Sequence, residues 1–193
     1  MNFDNWTEKF FNGAGVTAGK LKKAYQTLTR DNSALYAISA DPPTWGHADI
    51  MMRASKKFSR VIWAIAQNPD KSYLFSIEEK KQMMQIYIDH YKLDNVEIMI
   101  VTGSTARFAK DENISFLIRG LRSSSDYQME FELSVGNRGI AKKIETICMF
   151  SKPHYATISS SIVRQIALLD EEISQYVHSE VAKIIKEKVS SLK

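Results

Sequence analysis

Short runs of apolar residues alternate along this chain with segments whose apolar positions recur every three to four residues. The runs fall at Leu35 to Ser39, Val61 to Ala66, Val96 to Val101, Ser115 to Ile118 and Ile144 to Phe150, each of a length that suits a strand buried on both faces. Helical spacing fills the intervals at Ala48 to Phe58, Ile77 to Tyr91, Thr105 to Asp111, Tyr127 to Arg138 and Ser160 to Leu169. This alternation predicts an α/β fold: a doubly wound, Rossmann-like parallel five-stranded sheet with helices on both faces. A last segment, Glu171 to Leu192, sets Ile173, Val177, Val181, Ile184, Ile185 and Val189 at three- and four-residue steps and predicts one amphipathic C-terminal helix. Residues 1–34 break the pattern, mixing Phe3, Trp6, Phe10 and Phe11 with Gly13, Gly15 and Gly19 before a short basic helix expected at Leu21 to Leu28. They read as an N-terminal extension to a domain spanning residues 35–193.

Composition narrows the class. At 193 residues and 44% hydrophobic, the chain supports one substantial core and not two full-sized domains. Cys148 lies in the apolar run Thr146 to Phe150 and is expected to be a buried strand residue, neither disulfide partner nor nucleophile. The pairs Met51-Met52 and Met83-Met84 are expected to fill the core, and His90, His154 and His178 lack metal-ligand spacing. No segment approaches the roughly 18 apolar residues of a membrane span, so the expectation is a cytoplasmic protein with no membrane partner. The net charge is +4, but lysines alternate with acids, as in Glu78-Glu79-Lys80-Lys81. Without a basic stripe interleaved with aromatics no nucleic-acid partner is expected, and a mild positive bias suits a small anionic substrate.

Candidate chemistry gathers where strands give way to helices. After the first strand, Asp41-Pro42-Pro43-Thr44-Trp45-Gly46-His47 makes a turn that delivers His47 at the start of a helix. Backbone N–H groups at such a start favour phosphate. Ile158-Ser159-Ser160-Ser161 repeats the arrangement with small hydroxyl residues, and Arg164 follows one turn later. In a doubly wound sheet, ligands bind beyond the carboxyl ends of the strands at the switch point, where Asn68 to Lys71 and Arg119 to Arg122 also fall. Arg119 and Arg122 suit bidentate phosphate work.

These blocks carry a resemblance. Asp41-Pro42-x-Thr44-x-Gly46-His47, Asn68-Pro69-x-Lys71, Phe75-Ser76-Ile77-Glu78-Glu79, Ile118-Arg119-Gly120-Leu121-Arg122, Asp126-Tyr127 with Glu130, Asn137-Arg138 and Ile158-Ser159-Ser160-Ser161 stand in one order and register. From about Leu35 to Lys188 the chain resembles the bacterial phosphopantetheine adenylyltransferases of the nucleotidyltransferase superfamily, whose His-x-Gly-His-type turn appears here as Thr44-Trp45-Gly46-His47.

The resemblance implies attack of a 4'-phosphopantetheine phosphate oxygen on the α-phosphorus of ATP, giving dephospho-coenzyme A and pyrophosphate. It implies catalytic roles for His47, Lys71 and Arg119. The implied ATP-binding residues are Ser39, Ala40, His47, Gly120, Leu121, Arg122, Glu130, Tyr155, Ser159, Ser160 and Ser161, and the implied acceptor-binding residues are Ser39, Lys71, Thr105 and Arg119. Mg²⁺ would be carried by the ATP phosphates, with no protein-held metal, and a homo-oligomer, commonly a hexamer in the family, is implied. The chain departs from the family pattern at Tyr36-Ala37-Ile38-Ser39-Ala40, where the family usually has Tyr-Pro-Gly-Ser/Thr-Phe, and at Ser104-Thr105, where a more polar pantetheine wall is expected. Those departures leave two further readings beside the first. One is a related enzyme using another phosphorylated acceptor, as nicotinamide mononucleotide adenylyltransferases and cytidylyltransferases do; the other is a nucleotide-binding module without catalysis.

Overall fold

The computed structural model describes residues 32–192. Its sheet has five parallel strands, β1 (Ser33–Ile38), β2 (Arg60–Gln67), β3 (Val96–Thr102), β4 (Phe116–Leu121) and β5 (Glu145–Phe150), in the order β3-β2-β1-β4-β5. The α-helices are α1 (Trp45–Ser55), α2 (Ile77–Tyr91), α3 (Thr105–Asp111), α4 (Ser124–Ile140), α5 (Ser160–Leu168) and α6 (Ser179–Ser190). The predicted fold class and every predicted strand are therefore present.

Alternation along the strands divides the core in two. Ala34, Tyr36 and Ile38 of β1 join Val61, Trp63 and Ile65 of β2 in the larger cluster, closed by Met51 of α1, Met83 and Met84 of α2, Val163 of α5 and Val181 and Ile185 of α6. Leu35, Ile62 and Ala64 point the other way, against Ala106 and Ala109 of α3 and Leu117 and Ile144. Each fully buried Val, Leu or Ile contributes about 1.5–3 kcal/mol, so the sheet is held from both faces. Met51, Met83 and Met84 fill the core as expected, whereas Met52 is half-buried and lies outside both clusters.

The strand order places the switch point between β1 and β4, and a crevice opens beyond their carboxyl ends. Gly120 lets α1 approach it. A Cβ there would lie 2.5 Å from Ile50 Cδ1 and 3.3 Å from the Tyr36 hydroxyl.

Several expectations need correction. The C-terminal segment is not one helix from Glu171 to Leu192; α6 begins at Ser179. Upstream, Glu172 Oε1 accepts the N–H groups of Ile173 and Ser174, each at 2.9 Å, and this carboxylate turn replaces a first helical turn. Ile173 and Val177 are still fully buried, which is why their spacing imitates a helix. Cys148 is exposed and not buried, because β5 is an edge strand. Helix α1 begins at Trp45, before Ala48, and α4 begins at Ser124, before Tyr127, where Thr44 and Ser123 provide the N-caps. Strand β1 begins at Ser33, two residues ahead of the expected domain start. The helix expected at Leu21 to Leu28, like the rest of residues 1–31, lies outside the described residues. Among the described residues, no helix is long and apolar enough to cross a membrane.

Candidate active site

A polar cleft of about 260 Å³ occupies the switch point. Its wall takes Tyr36, Ala37, Ile38 and Ser39 from the end of β1, Thr44, Gly46, His47 and Ile50 from α1 and its approach, and Arg119 and Gly120 from β4. Arg122 and Glu130 close it on the α4 side, and Ser151 with Ile158, Ser159, Ser160 and Ser161 on the side of β5 and α5. Distant segments thus bring together Ser39, His47, Arg119, Gly120, Arg122, Glu130 and the serine cluster.

His47 is the third residue of α1 and does the work a Glu or Gln does in a capping box. The Thr44 N–H donates to its Nδ1 at 3.1 Å, and the Thr44 hydroxyl lies 2.9 Å from the same nitrogen. A ring nitrogen that accepts a backbone N–H carries no proton, so the neutral ring holds its hydrogen on Nε2. Burial, reinforced by the charge of Arg122, lowers the His47 pKa to about 4. The cleft therefore contains a neutral imidazole whose one N–H is left for a ligand.

Two helix starts meet at this wall. Ser159 Oγ caps α5 by accepting the Ile162 N–H at 3.2 Å, and Ser160 Oγ donates to Pro42 O at 2.8 Å, which ties α5 to the approach of α1. The N–H groups of Gly46, Ser160 and Ser161 make no hydrogen bond among the described residues. They are the unpaired first-turn donors that favour an anion.

The arginines are held from behind. Arg119 Nε lies 3.0 Å from Glu130 Oε2, and its Nη2 donates to Thr105 Oγ1 at 3.5 Å. The Glu130 contact is ionic and not an aligned hydrogen bond, since both atoms lack a hydrogen-bond partner. Burial raises the Glu130 carboxyl above its usual range, against the pull of Arg119. Arg122 grips Asp126 through Nε at 3.1 Å and through its backbone N–H at 3.0 Å, and its Nη1 donates to Ile158 O at 3.3 Å. Burial would raise Asp126, but the Arg122 side chain and N–H outweigh it and hold the carboxyl low. Burial also raises the Tyr36 phenol, which remains a neutral hydroxyl.

The remaining predicted residues stand further off. Lys71 is exposed on the loop after β2, with its N–H on Asn68 O, outside the cleft wall. Thr105 reaches the site through Arg119. Leu121 is buried and offers its carbonyl to Ser151 N at 2.8 Å, and Ala40 is buried in the left-handed region at φ 50°. Tyr155, in a short 3-10 turn (Pro153–Tyr155), would lie 3.5 Å from a Cβ at position 46. Sequence reasoning missed Tyr36 and Ile50 as wall residues. The alternation that puts Tyr36 on the same face as Ile38 was a usable signal for the first. Among the described residues, no group of three or more His, Cys, Asp or Glu is placed to hold a metal ion.

Residues 36–166 match the family model described as cytidylyltransferase-like. The phosphopantetheine adenylyltransferase of Clostridium perfringens is 37% identical over 159 residues, covering 82% of this chain and 96% of that protein. Among solved structures, the nicotinic acid mononucleotide adenylyltransferase of Plasmodium falciparum complexed with APC superposes with a TM-score of 0.61 at 16% identity, covering 81% of this chain and 95% of that one. The same enzyme complexed with NaAD gives a TM-score of 0.59 at 16% identity, with the same coverage. At that identity the structural likeness is one of fold.

Proposed function

The chain belongs to the cytidylyltransferase-like family of nucleotidyltransferases, and from that premise we propose that it transfers AMP from ATP to 4'-phosphopantetheine. A phosphate oxygen of the acceptor bonds to the α-phosphorus, the bond from that phosphorus to the bridging oxygen breaks, and pyrophosphate leaves. A phosphate monoester has a second pKa of about 6 and is largely dianionic near neutrality, so the nucleophile needs no strong base. The site's task is to align two anions and to meet the charge that builds on the α-phosphate.

The observation that carries this reading is the His47 ring, tied through Nδ1 to the helix cap and left with a neutral Nε2–H in a cleft bordered by arginines and free N–H groups. His47 donates to the α-phosphate. The N–H groups of Ser160 and Ser161 hold the β- and γ-phosphates and so stabilise the departing pyrophosphate. Ser39 and Arg119 hold the acceptor phosphate, with Thr105 and Glu130 fixing the guanidinium. Lys71, on its exposed loop, balances the phosphates of both substrates. Gly120 and Arg122 surround the nucleotide, with Tyr155 near the start of α1.

Mg²⁺ would be carried by the ATP phosphates and would help to neutralise their charge; Glu130 in the cleft wall and Asp126 behind Arg122 are both engaged by arginines, which suits a metal bound largely by phosphate and water. The same reading places the enzyme in the cytoplasm, in coenzyme A synthesis, as a homo-oligomer that is hexameric by family resemblance. Helix α4 contains no buried residue and exposes Tyr127, Phe131 and Val135, which supplies apolar area for such an assembly to cover.

The test is pyrophosphate release from ATP or CTP with a panel of phosphorylated acceptors, using the unaltered chain beside His47→Ala. Turnover with ATP and phosphopantetheine that the substitution abolishes is expected. Turnover with nicotinamide mononucleotide but not with phosphopantetheine overturns the acceptor assignment.

A further inference from the structure

Asp41 is a buried carboxylate in the turn between β1 and α1, and it lies outside the cleft wall. It is the meeting point of the loop bearing Lys71, of α5 and of α2. Its Oδ1 accepts the Phe75 N–H at 3.1 Å and its Oδ2 the Leu74 N–H at 3.1 Å, which fixes the end of the loop bearing Lys71. Arg164 of α5 donates through Nη1 to the Asp41 carbonyl and, at 3.1 Å, to Oδ2. Lys80 of α2 brings Nζ to 3.6 Å from Oδ1.

Lys80 is the unusual member, because its side chain is only 2% exposed. A buried ammonium is costly unless charge and dipoles surround it. Here the ammonium also rests 3.6 Å from the centre of the Tyr73 ring, over its face. The Tyr73 hydroxyl accepts the Asn68 N–H at 2.8 Å and donates to Ala66 O at 3.4 Å, bracing the loop where it leaves β2. One buried cation therefore holds the far end of the loop through Tyr73 and its near end through Asp41, while Arg164 extends the same charge cluster to the helix whose first turn carries Ser160 and Ser161.

We propose that Lys80, Asp41 and Arg164 form a clasp that positions the Lys71 loop and the start of α5 relative to the His47 turn. They are positioning residues, since none of them borders the cleft. The proposal rests on the reading of the cleft as a nucleotidyl-transfer site.

The experiment compares Lys80→Met, Lys80→Arg and Tyr73→Phe with the unaltered enzyme by steady-state kinetics, and also by amide hydrogen exchange without substrates. Lys80→Met is expected to lower kcat with phosphopantetheine about 10- to 100-fold. Its effect should not multiply with that of Lys71→Ala, because both act on one loop. Lys80→Arg should restore most of the rate, and Tyr73→Phe should lose about 3- to 10-fold. Exchange at residues 68–75 and at the start of α5 should quicken together in Lys80→Met, leaving β4 unchanged. The clasp is overturned if Lys80→Met lowers only the melting temperature while kcat and KM stay within twofold, or if exchange in the loop and in α5 is unaffected. Should Lys80→Met fail to fold, unchanged kinetics and exchange in Tyr73→Phe overturn it equally. If the unaltered enzyme turns over no phosphopantetheine, the proposed reaction falls, and the exchange comparison decides the clasp by itself.

Discussion

The α1 side of the switch point and the α4 side are built by opposite rules. On the α1 side two buried carboxylates are each shared by two cations: Asp41 serves Lys80 and Arg164, and Asp49 accepts Arg53 Nε at 3.0 Å and Lys152 Nζ at 2.8 Å. Arg53 also donates to Phe150 O at 2.7 Å, pinning the end of β5 to α1. On the α4 side, no residue of a 17-residue helix is fully buried, and a cavity of about 770 Å³ is lined by Tyr127, Phe131 and Val135 together with Cys148 of the β5 edge. Preorganised donors for phosphate need a rigid frame, because their advantage disappears if they must reorganise during reaction. The chain completes that frame by itself around His47. It leaves the α4 face for other copies of the chain, in the assembly proposed above.

The largest test of this contrast is His47→Ala. It removes one preorganised donor, and kcat should fall about 100- to 1,000-fold. Thermal unfolding should shift only by the loss of a helix cap, about 1 kcal/mol. A fall in KM-dependent binding alone, with kcat intact, would show that the ring binds and does not catalyse.

Asp49→Ala comes next. It leaves Arg53 and Lys152 without their buried anion, and a cost of about 1–3 kcal/mol is expected in denaturant unfolding. The loss should extend to ATP binding, since residues 151–158 depend on that anchor. Unchanged stability would mean that the α1 side owes its rigidity to apolar packing alone.

The pH response of His47 is smaller and sharper. Its folded pKa of about 4 lies below the ordinary 6.5, so between those values the unfolded chain binds the extra proton. Its contribution to stability is therefore complete above pH 6.5, declines as pH falls toward 4 and is flat below that. The His47 contribution to kcat should hold level from pH 8 to 6 and halve near pH 4. The acceptor phosphate, with its pKa of about 6, contributes its own break to the rate profiles of both enzymes, so a break at 6.5 that is present in the unaltered enzyme and absent from His47→Ala would show a solvated ring.

The smallest effect on the folded chain should come from Phe131→Glu on α4. Being exposed, it should change monomer stability by less than about 0.5 kcal/mol. Sedimentation should nevertheless report a smaller assembly, and Cys148 should become more accessible to a thiol reagent. That reagent should act slowly at neutral pH, because partial desolvation of the sulfur and the nearby Glu130 charge raise the thiol pKa. Unchanged sedimentation would remove α4 from the interface.

The sequence was most legible where local pattern and tertiary role coincide. Strands β1 and β2 are continuous apolar runs because both faces are covered, and the Thr44 to His47 turn is visible because its caps and breakers are local. Cys148 was misread because strand order is not encoded in periodicity, and only order makes β5 an edge. Ile173 and Val177 have helical spacing within a turn that Glu172 organises through backbone N–H groups, which no spacing rule detects. Lys80 was the least legible of all. Within Glu78-Glu79-Lys80-Lys81 it looks like any solvated charge, and its burial depends on Asp41 and Tyr73 arriving from elsewhere in the chain. The cleft residues were legible as types at strand ends, whereas their supports from behind, Thr105 and Glu130 on Arg119, required the assembled sheet.

The hydrogen bond from Ser160 to Pro42 spans 118 residues, and β1, at the centre of the sheet, must wait for β4 before its second edge is paired. Contacts of such sequence separation close late, after the local helices. During synthesis the His47 turn therefore emerges long before its partner helix, and the proposed polyphosphate site is complete only once α5 has left the ribosome. Nucleotide added to a refolding mixture should act on the last step alone, favouring the finished fold by mass action without accelerating the assembly of β1 to β3.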